Sequence, residues 1–178
     1  PRSICSLCRA SFSILKKLHE KDRRLKIIRL TRRFGQSPAL TAGFDNSRGE
    51  IIVTSDADLQ NDPRDIPRVV RKIQGGYDVV SGWRFDRKDP FLTKIIPSRI
   101  FNFITRGMTG IMLHDFGCTL KGYRREALRG VKLYGQTHRL IPALAKMNGY
   151  NKIAEIKVEH HVRFSGKARY GLILGRYN

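Results

Sequence analysis

The run DADLQ at residues 56–60 gathers hard oxygen donors in a chain otherwise short of acids, which has 15 Asp and Glu against 35 Lys and Arg. Asp56 and Asp58 stand two residues apart around the small Ala57. On an extended backbone both side chains leave on the same side and can converge on one hard cation, and Gln60 continues the spacing. The β-branched run IIVTS at 51–55 predicts a buried strand just before them, so the acids mark its carboxyl end. A helix start follows at once: Asp62 suits the N-cap, Pro63 the first helical position and Asp65 the first turn. In an open α/β sheet, ligands bind at the carboxyl ends of the strands. An EF-hand fails on spacing, because Asn61 holds the glycine position and Pro67 the place of the bidentate Glu. The plain alternative is a pair of loop and capping acids.

Other groups are weighed the same way. The segment 160–171 sets Arg163, Lys167 and Arg169 among glycines, which suits gripping phosphates; a solvated basic tail is the competing reading. His160 and His161 are adjacent and cannot both aim at one metal from an extended strand. Cys5-x-x-Cys8 has a metal or redox spacing, but no second Cys/His pair follows and no strand leads into it. Asp115, just before Phe116-Gly117, breaks a helical stretch and has the ordinary reading of a turn or cap acid.

The elements that must position these groups alternate along the chain. Apolar spacing predicts helices over 12–19, 38–47, 64–74, 98–113 and 138–148, with a further helix beginning at 125–129. Strands are expected over 26–30, 51–55, 77–81, 120–123 and 153–158, with 82–88 a loop mixing aromatics and cations. Residues 1–11 show neither period. Alternation with short loops predicts an α/β fold with a mostly parallel sheet and helices on both faces. The stretch 98–113 carries Phe101, Phe103, Ile104, Met108, Ile111 and Met112 flanked by Arg99 and Arg106, and reads equally as core or as an interfacial helix.

Composition bounds the partners. At 178 residues the chain has room for one domain with a real core, and its 40% hydrophobic content argues against disorder. A formal net charge of +20 points to a polyanion: nucleic acid, an anionic membrane surface or phosphorylated small molecules. Three cysteines make no disulfide framework, so reduced cytosol is the expected compartment. No apolar run approaches the roughly 20 residues that span a bilayer, so membrane contact by this chain is expected to be peripheral.

Five runs then resemble one family in order and spacing: RRFGQ at 32–36, DADLQNDP at 56–63, VSGWR at 80–84, HDFGCTLKGYRRE at 114–126, and HVR at 161–163 with GK at 166–167. They resemble inverting GT-A glycosyltransferases of the polyprenyl-phosphate type, the dolichol-phosphate mannosyltransferases and undecaprenyl-phosphate sugar transferases. The resemblance covers 12–171 as a single GT-A (Rossmann-like) domain, with 1–11 and 172–178 as irregular ends. It implies that Asp56, Asp58 and Gln60 bind Mg²⁺ or Mn²⁺ with the diphosphate of a nucleotide sugar. Arg84, Lys94, Ser98, Arg163 and Lys167 fall where the family contacts donor or acceptor phosphate. Asp115 takes the acceptor-side acid position, and an already anionic lipid phosphate needs little general-base help, so it is expected to orient rather than to abstract a proton. The implied partners are a nucleotide sugar, a polyprenyl phosphate and an anionic membrane surface, with the chain peripheral on the cytoplasmic face and no nucleic acid bound.

Departures from the family shape the remaining expectations. The family opens with a strand, a short helix and a strand ending in an Asp-Asp-Gly-Ser-like loop, and the chain is expected to lack these first strands. Gln136 stands where Glu is common, Ala168-Arg169 replaces Ser-Lys, and C-terminal membrane helices are not seen. Residues 1–178 alone are therefore expected to bind anionic vesicles but to transfer no sugar. Two other classes remain beside the enzyme: a catalytically inactive membrane-surface or assembly subunit, and a basic nucleic-acid-binding module.

Overall fold

The computed structural model describes residues 2–5, 9–32, 34–86 and 96–161. In chain order its elements are β1 (Arg2–Cys5), α1 (Arg9–Lys21), β2 (Leu25–Ile28), α2 (Gln36–Asp45), β3 (Ile51–Thr54), α3 (Ile66–Gln74), β4 (Val79–Arg84), α4 (Ile96–Thr109), β5 (Lys121–Arg124), α5 (Ile141–Met147) and β6 (Ile153–Val158). β1 and β2 form a two-stranded sheet, and a four-stranded sheet has the order β3-β5-β4-β6.

Alternation along the four-stranded sheet sends Val79 and Val80 to opposite faces, and each face is covered. Val69 and Ile73 of α3 pack with Val80, Leu120 and Val158. Ile141 and Ala145 of α5 meet Ile52, Val79 and Tyr123 on the other side. Ile66, Val69 and Ile73 recur at helical spacing, which is why α3 buries that stripe. The helix lies so close to β5 that a Cβ on Gly122 would stand 2.3 Å from Val69 Cγ1, so only glycine permits the approach.

The α/β class with helices on both faces is as the sequence predicts, but the sheet is mixed. β1–β2 and β4–β6 are parallel, whereas β5 runs antiparallel to both β3 and β4. Helix–strand alternation does not encode direction when the chain returns through a long connection such as 110–120. The irregular start expected for 1–11 is also corrected: Arg2 to Cys5 pair with Leu25 to Ile28, a partner that no local periodicity reports. β4 continues to Arg84, through residues expected to be loop, because its register with β6 runs on to Arg84 opposite Val158.

Helix ends also differ from the sequence reading. α4 stops at Thr109, since Gly110 takes φ +62° and donates its N–H to Arg106 O at 2.8 Å, a left-handed helix stop. Residues 138–148 divide into a 3₁₀ turn, Thr137–Leu140, and α5, and 125–129 holds one 3₁₀ turn, Glu126–Leu128. The start before α3 is as read: Asp62 accepts the Arg64 N–H at 2.8 Å and Pro63 opens the 3₁₀ turn Pro63–Asp65.

Candidate active site

β3 ends at Thr54, and the acids that follow lie beyond the strand, Asp58 within a bend over 57–59. The reason is local. Asp58 Oδ1 accepts the Gln60 N–H at 3.2 Å, an Asx turn, and Leu59 between them takes φ +62°. A left-handed leucine is a strained conformation costing about 1–3 kcal/mol, and such strain clusters at functional loops. Asp56 is exposed and lines a cleft, while Asp58 is half-buried in its own turn. Because β3 ends before the acids, alternation along a strand does not decide where their carboxylates lie; Asp56 is exposed and Asp58 accepts the Gln60 N–H within a turn.

A small, open cleft lies at the carboxyl end of β3, between Thr54, Asp56, Gly117, Lys121, His138 and Arg139. Thr54 Oγ1 donates to Thr119 O at 2.9 Å and Asn61 Nδ2 to Thr119 Oγ1 at 3.0 Å, which ties the acidic loop to the 116–121 segment. Lys121 is buried and donates its ammonium to the carbonyls of Phe116 and Cys118. Burial pushes its pKa down. His138 is buried beside Ser37, with Nδ1 3.2 Å from the hydroxyl that itself donates to Gly135 O. Burial first, then the charges of Arg139 and Lys121, push its pKa down to about 4, so at neutral pH it is an uncharged wall of the cleft. Lys121, His138 and Arg139 were not among the residues singled out in the sequence. A lysine alternating with apolar residues in the 120–123 strand was the available signal for the first.

Directly behind the cleft wall, Arg84 and Asp115 form a bidentate ion pair. Nε donates to Oδ2 at 2.7 Å and Nη2 to Oδ1 at 3.0 Å, with side chains 16% and 3% exposed. A Cβ on Gly117 would lie 3.2 Å from Arg84 Nη2 and 3.4 Å from Asp115 Oδ1, so the pair packs closely against Gly117, which also lines the cleft. The family resemblance implies a phosphate contact for the arginine and an acceptor-side place for the acid; the fold makes them partners.

The strand exit of β6 closes against the acidic loop. His161 N–H donates to Gln60 O at 2.9 Å, Glu159 N–H to Asp65 Oδ2 at 3.0 Å, and Asn61 pairs with His160 as an isolated bridge. Among the described residues Asp62, Glu159 and His161 could together hold a cation, their ligand atoms lying within 4.8 Å of one another. The Arg64 guanidinium already stands there, 2.7 Å from Asp62 and 3.8 Å from Glu159. Hydrogen bonds from Arg64 hold the Asp62 carboxyl well below the usual carboxylate range, so this group reads as an ion-paired clasp. Ser98 sits half-buried in the first turn of α4. Lys94, Arg163 and Lys167 lie outside the described residues.

The pattern of Glycosyl transferase family 2 matches residues 10–131. The chain belongs to this family. It is 45% identical over 150 residues to the dodecaprenyl-phosphate galacturonate synthase of Rhizobium johnstonii, a match covering 83% of this chain and 44% of that protein. It is 41% identical over 142 residues to the undecaprenyl-phosphate 4-deoxy-4-formamido-L-arabinose transferase of Pseudomonas aeruginosa, covering 79% of this chain and 41% of the relative. The chain thus spans less than half the length of these curated relatives. Its fold is GT-A. A mannosyltransferase from Pyrobaculum calidifontis in complex with GDP-Man and Mn²⁺ matches with a TM-score of 0.60 at 20% identity, over 88% of this chain and 46% of that one. The glucosyl-3-phosphoglycerate synthase of Mycobacterium tuberculosis in complex with UDP matches with a TM-score of 0.64 at 16% identity, over 93% and 60%.

Proposed function

We propose that this chain supplies the cleft of a divalent-cation-dependent, inverting transferase that moves a sugar from a nucleotide sugar to a polyprenyl phosphate. One arrangement carries the reading: at the exit of β3, Asp56 shares a cleft with Lys121 and Arg139, and the Arg84–Asp115 pair stands behind its wall. The acceptor class is supported by the two relatives above, whose names are those of transferases acting on polyprenyl phosphates.

The donor set fits a hard cation. Asp56 and Asp58 offer carboxylate oxygens, Gln60 an amide, and neither histidine nor thiolate belongs to the loop, which suits Mg²⁺ or Mn²⁺. When bound, the cation would neutralise charge on the leaving nucleoside diphosphate. The chain's own residues do the rest. A phosphate oxygen of the acceptor bonds to the anomeric carbon as the bond from that carbon to the diphosphate oxygen breaks on the opposite face, and configuration inverts. That oxygen is already anionic, so no proton need be removed. Asp115 fixes the plane of the Arg84 guanidinium, which meets phosphate charge with a preorganised dipole. Ser98, Lys94, Arg163 and Lys167 are proposed as further phosphate contacts.

α4 supports a membrane partner. Its inward side carries Asn102 and Thr105, both nearly inaccessible, and Phe101 packed against the Ile111, Leu113 and Phe116 cluster, while Ile100, Phe103, Ile104 and Met108 are 56%, 77%, 53% and 83% exposed. Their spacing makes one outward apolar stripe. Among the described residues no helix is long and apolar enough to cross a membrane. The stripe, Arg99 beside it and the +20 charge fit an anionic bilayer surface, peripheral on the cytoplasmic face. Burying a Phe or Met side chain contributes about 1.5–3 kcal/mol, so Phe103→Glu with Met108→Glu is expected to weaken binding to anionic vesicles at least 10-fold. Unchanged sedimentation with vesicles would remove α4 from the interface. Transfer of labelled sugar to a polyprenyl phosphate by the intact protein, lost with EDTA and restored by Mn²⁺ or Mg²⁺, tests the activity itself.

A further inference from the structure

Glu155 stands on β6 between Ile153 and Lys157 of the same row, Lys157 being exposed. Alternation puts it on the same side as Ile153, which packs against the cluster of Ile111, Leu113 and Phe116. Its side chain is 10% exposed. Oε1 accepts the N–H of His114 at 2.9 Å and of Asp115 at 3.0 Å, while Oε2 accepts the His114 N–H at 3.1 Å and lies 2.8 Å from His114 Nδ1. The next two amides are also held: Phe116 N–H donates to Asn102 Oδ1 at 3.2 Å and Gly117 N–H to Asp115 Oδ1 at 3.0 Å. The successive N–H groups of His114 and Asp115 converge on one carboxylate, an arrangement that attracts an anion. Here the anion is built in, and it is delivered by a strand 40 residues along the chain from Asp115.

We infer that Glu155 is a positioning residue that sets the Asp115 carboxylate against Arg84. Two charge-assisted backbone bonds fix the peptide on the N-terminal side of Asp115, and Asn102 Nδ2, donating to His114 O at 2.7 Å, fixes its carbonyl. From the peptide so held, both oxygens of the Asp115 side chain meet Arg84. His114 is held by the same carboxylate and stacks on Trp83 with ring centroids 4.1 Å apart, so the turn is braced from the strand that carries Arg84 as well. A misplacement of about 1 Å at a catalytic group costs on the order of 10²-fold in rate, which is the scale of effect open to this residue.

The inference rests on the proposed use of Arg84 and Asp115 in transfer, and two readouts keep the two claims apart. In the intact protein Glu155→Gln is expected to lower kcat about 10-fold with the KM for the nucleotide sugar unchanged. It should also make the amides of His114 and Asp115 exchange about 10-fold faster than in the wild type while the β4 and β6 amides stay protected, because a neutral amide group accepts more weakly. Glu155→Gln in an Asp115→Asn background is expected to cost no further rate, since both act through one group. A wild-type kcat for Glu155→Gln, or losses that multiply with those of Asp115→Asn, would overturn the positioning role. Should Asp115→Asn itself turn over normally, the proposed chemistry fails instead, and amide exchange alone decides: unchanged exchange at His114 and Asp115 overturns the inference.

Discussion

Asp56→Asn and Asp58→Asn are each expected to abolish divalent-dependent binding of a nucleotide sugar, the largest effects open to single substitutions in this chain. A metal ion on a diphosphate supplies several kcal/mol, so the loss should be on the order of 10³-fold in affinity. The two substitutions isolate charge from shape. Asp56 is exposed at the cleft rim, and its side chain is not part of the core. Asp58 folds over the Gln60 N–H, and the carboxamide oxygen of Asn accepts the same bond, so the turn and the left-handed Leu59 survive. Calorimetry with Mn²⁺ and the nucleotide sugar reads the result. Wild-type affinity in both variants, with thermal unfolding unchanged, would show that these acids are caps and turn formers alone.

Arg84→Ala and Asp115→Asn should each lower kcat by on the order of 10²-fold, as removal of a preorganised donor does. Stability should fall too. Removing one partner of a buried pair leaves the other uncompensated and costs about 3–5 kcal/mol, with Arg84→Ala the worse for fold because Asp115 is the more deeply buried partner. Arg84→Lys separates geometry from charge, since an ammonium cannot make the paired contacts of Nε and Nη2. It should recover part of the stability and little of the rate. Full activity in Arg84→Lys, measured by steady-state kinetics beside thermal unfolding, would mean that a diffuse positive charge suffices.

What was legible in the sequence was local. The acids after a β-branched run, the Asp62 cap, the proline that follows it and the apolar stripe of α3 all depend on residues within a turn of one another, and each is found in place. What was not legible depends on pairing across the chain. Arg84 and Asp115 are 31 residues apart, Glu155 and His114 are 41 apart, and neither pair leaves a trace in any window of sequence. The direction of β5 and the strand at Arg2–Cys5 were missed for the same reason, because backbone pairing needs no side-chain pattern on the partner. The bend at 57–59 shows the opposite failure: period-two reasoning was extended past the end of β3, where an Asx turn had already replaced the strand. α4 was ambiguous because its composition is apolar; only the fold shows that Asn102 and Thr105 point inward and Phe103 and Met108 outward.

The central claim is that this cleft serves transfer of a sugar to a lipid phosphate, and the product tests it most directly. The intact protein, given a nucleotide sugar, Mn²⁺ and a short-chain polyprenyl phosphate, should yield a lipid-linked monosaccharide whose mass equals the lipid phosphate plus one glycosyl residue. The anomeric configuration should be opposite to that of the donor, and Asp58→Asn should yield none. Retained configuration, or consumption of the donor to free sugar with the lipid phosphate untouched, would contradict the reading.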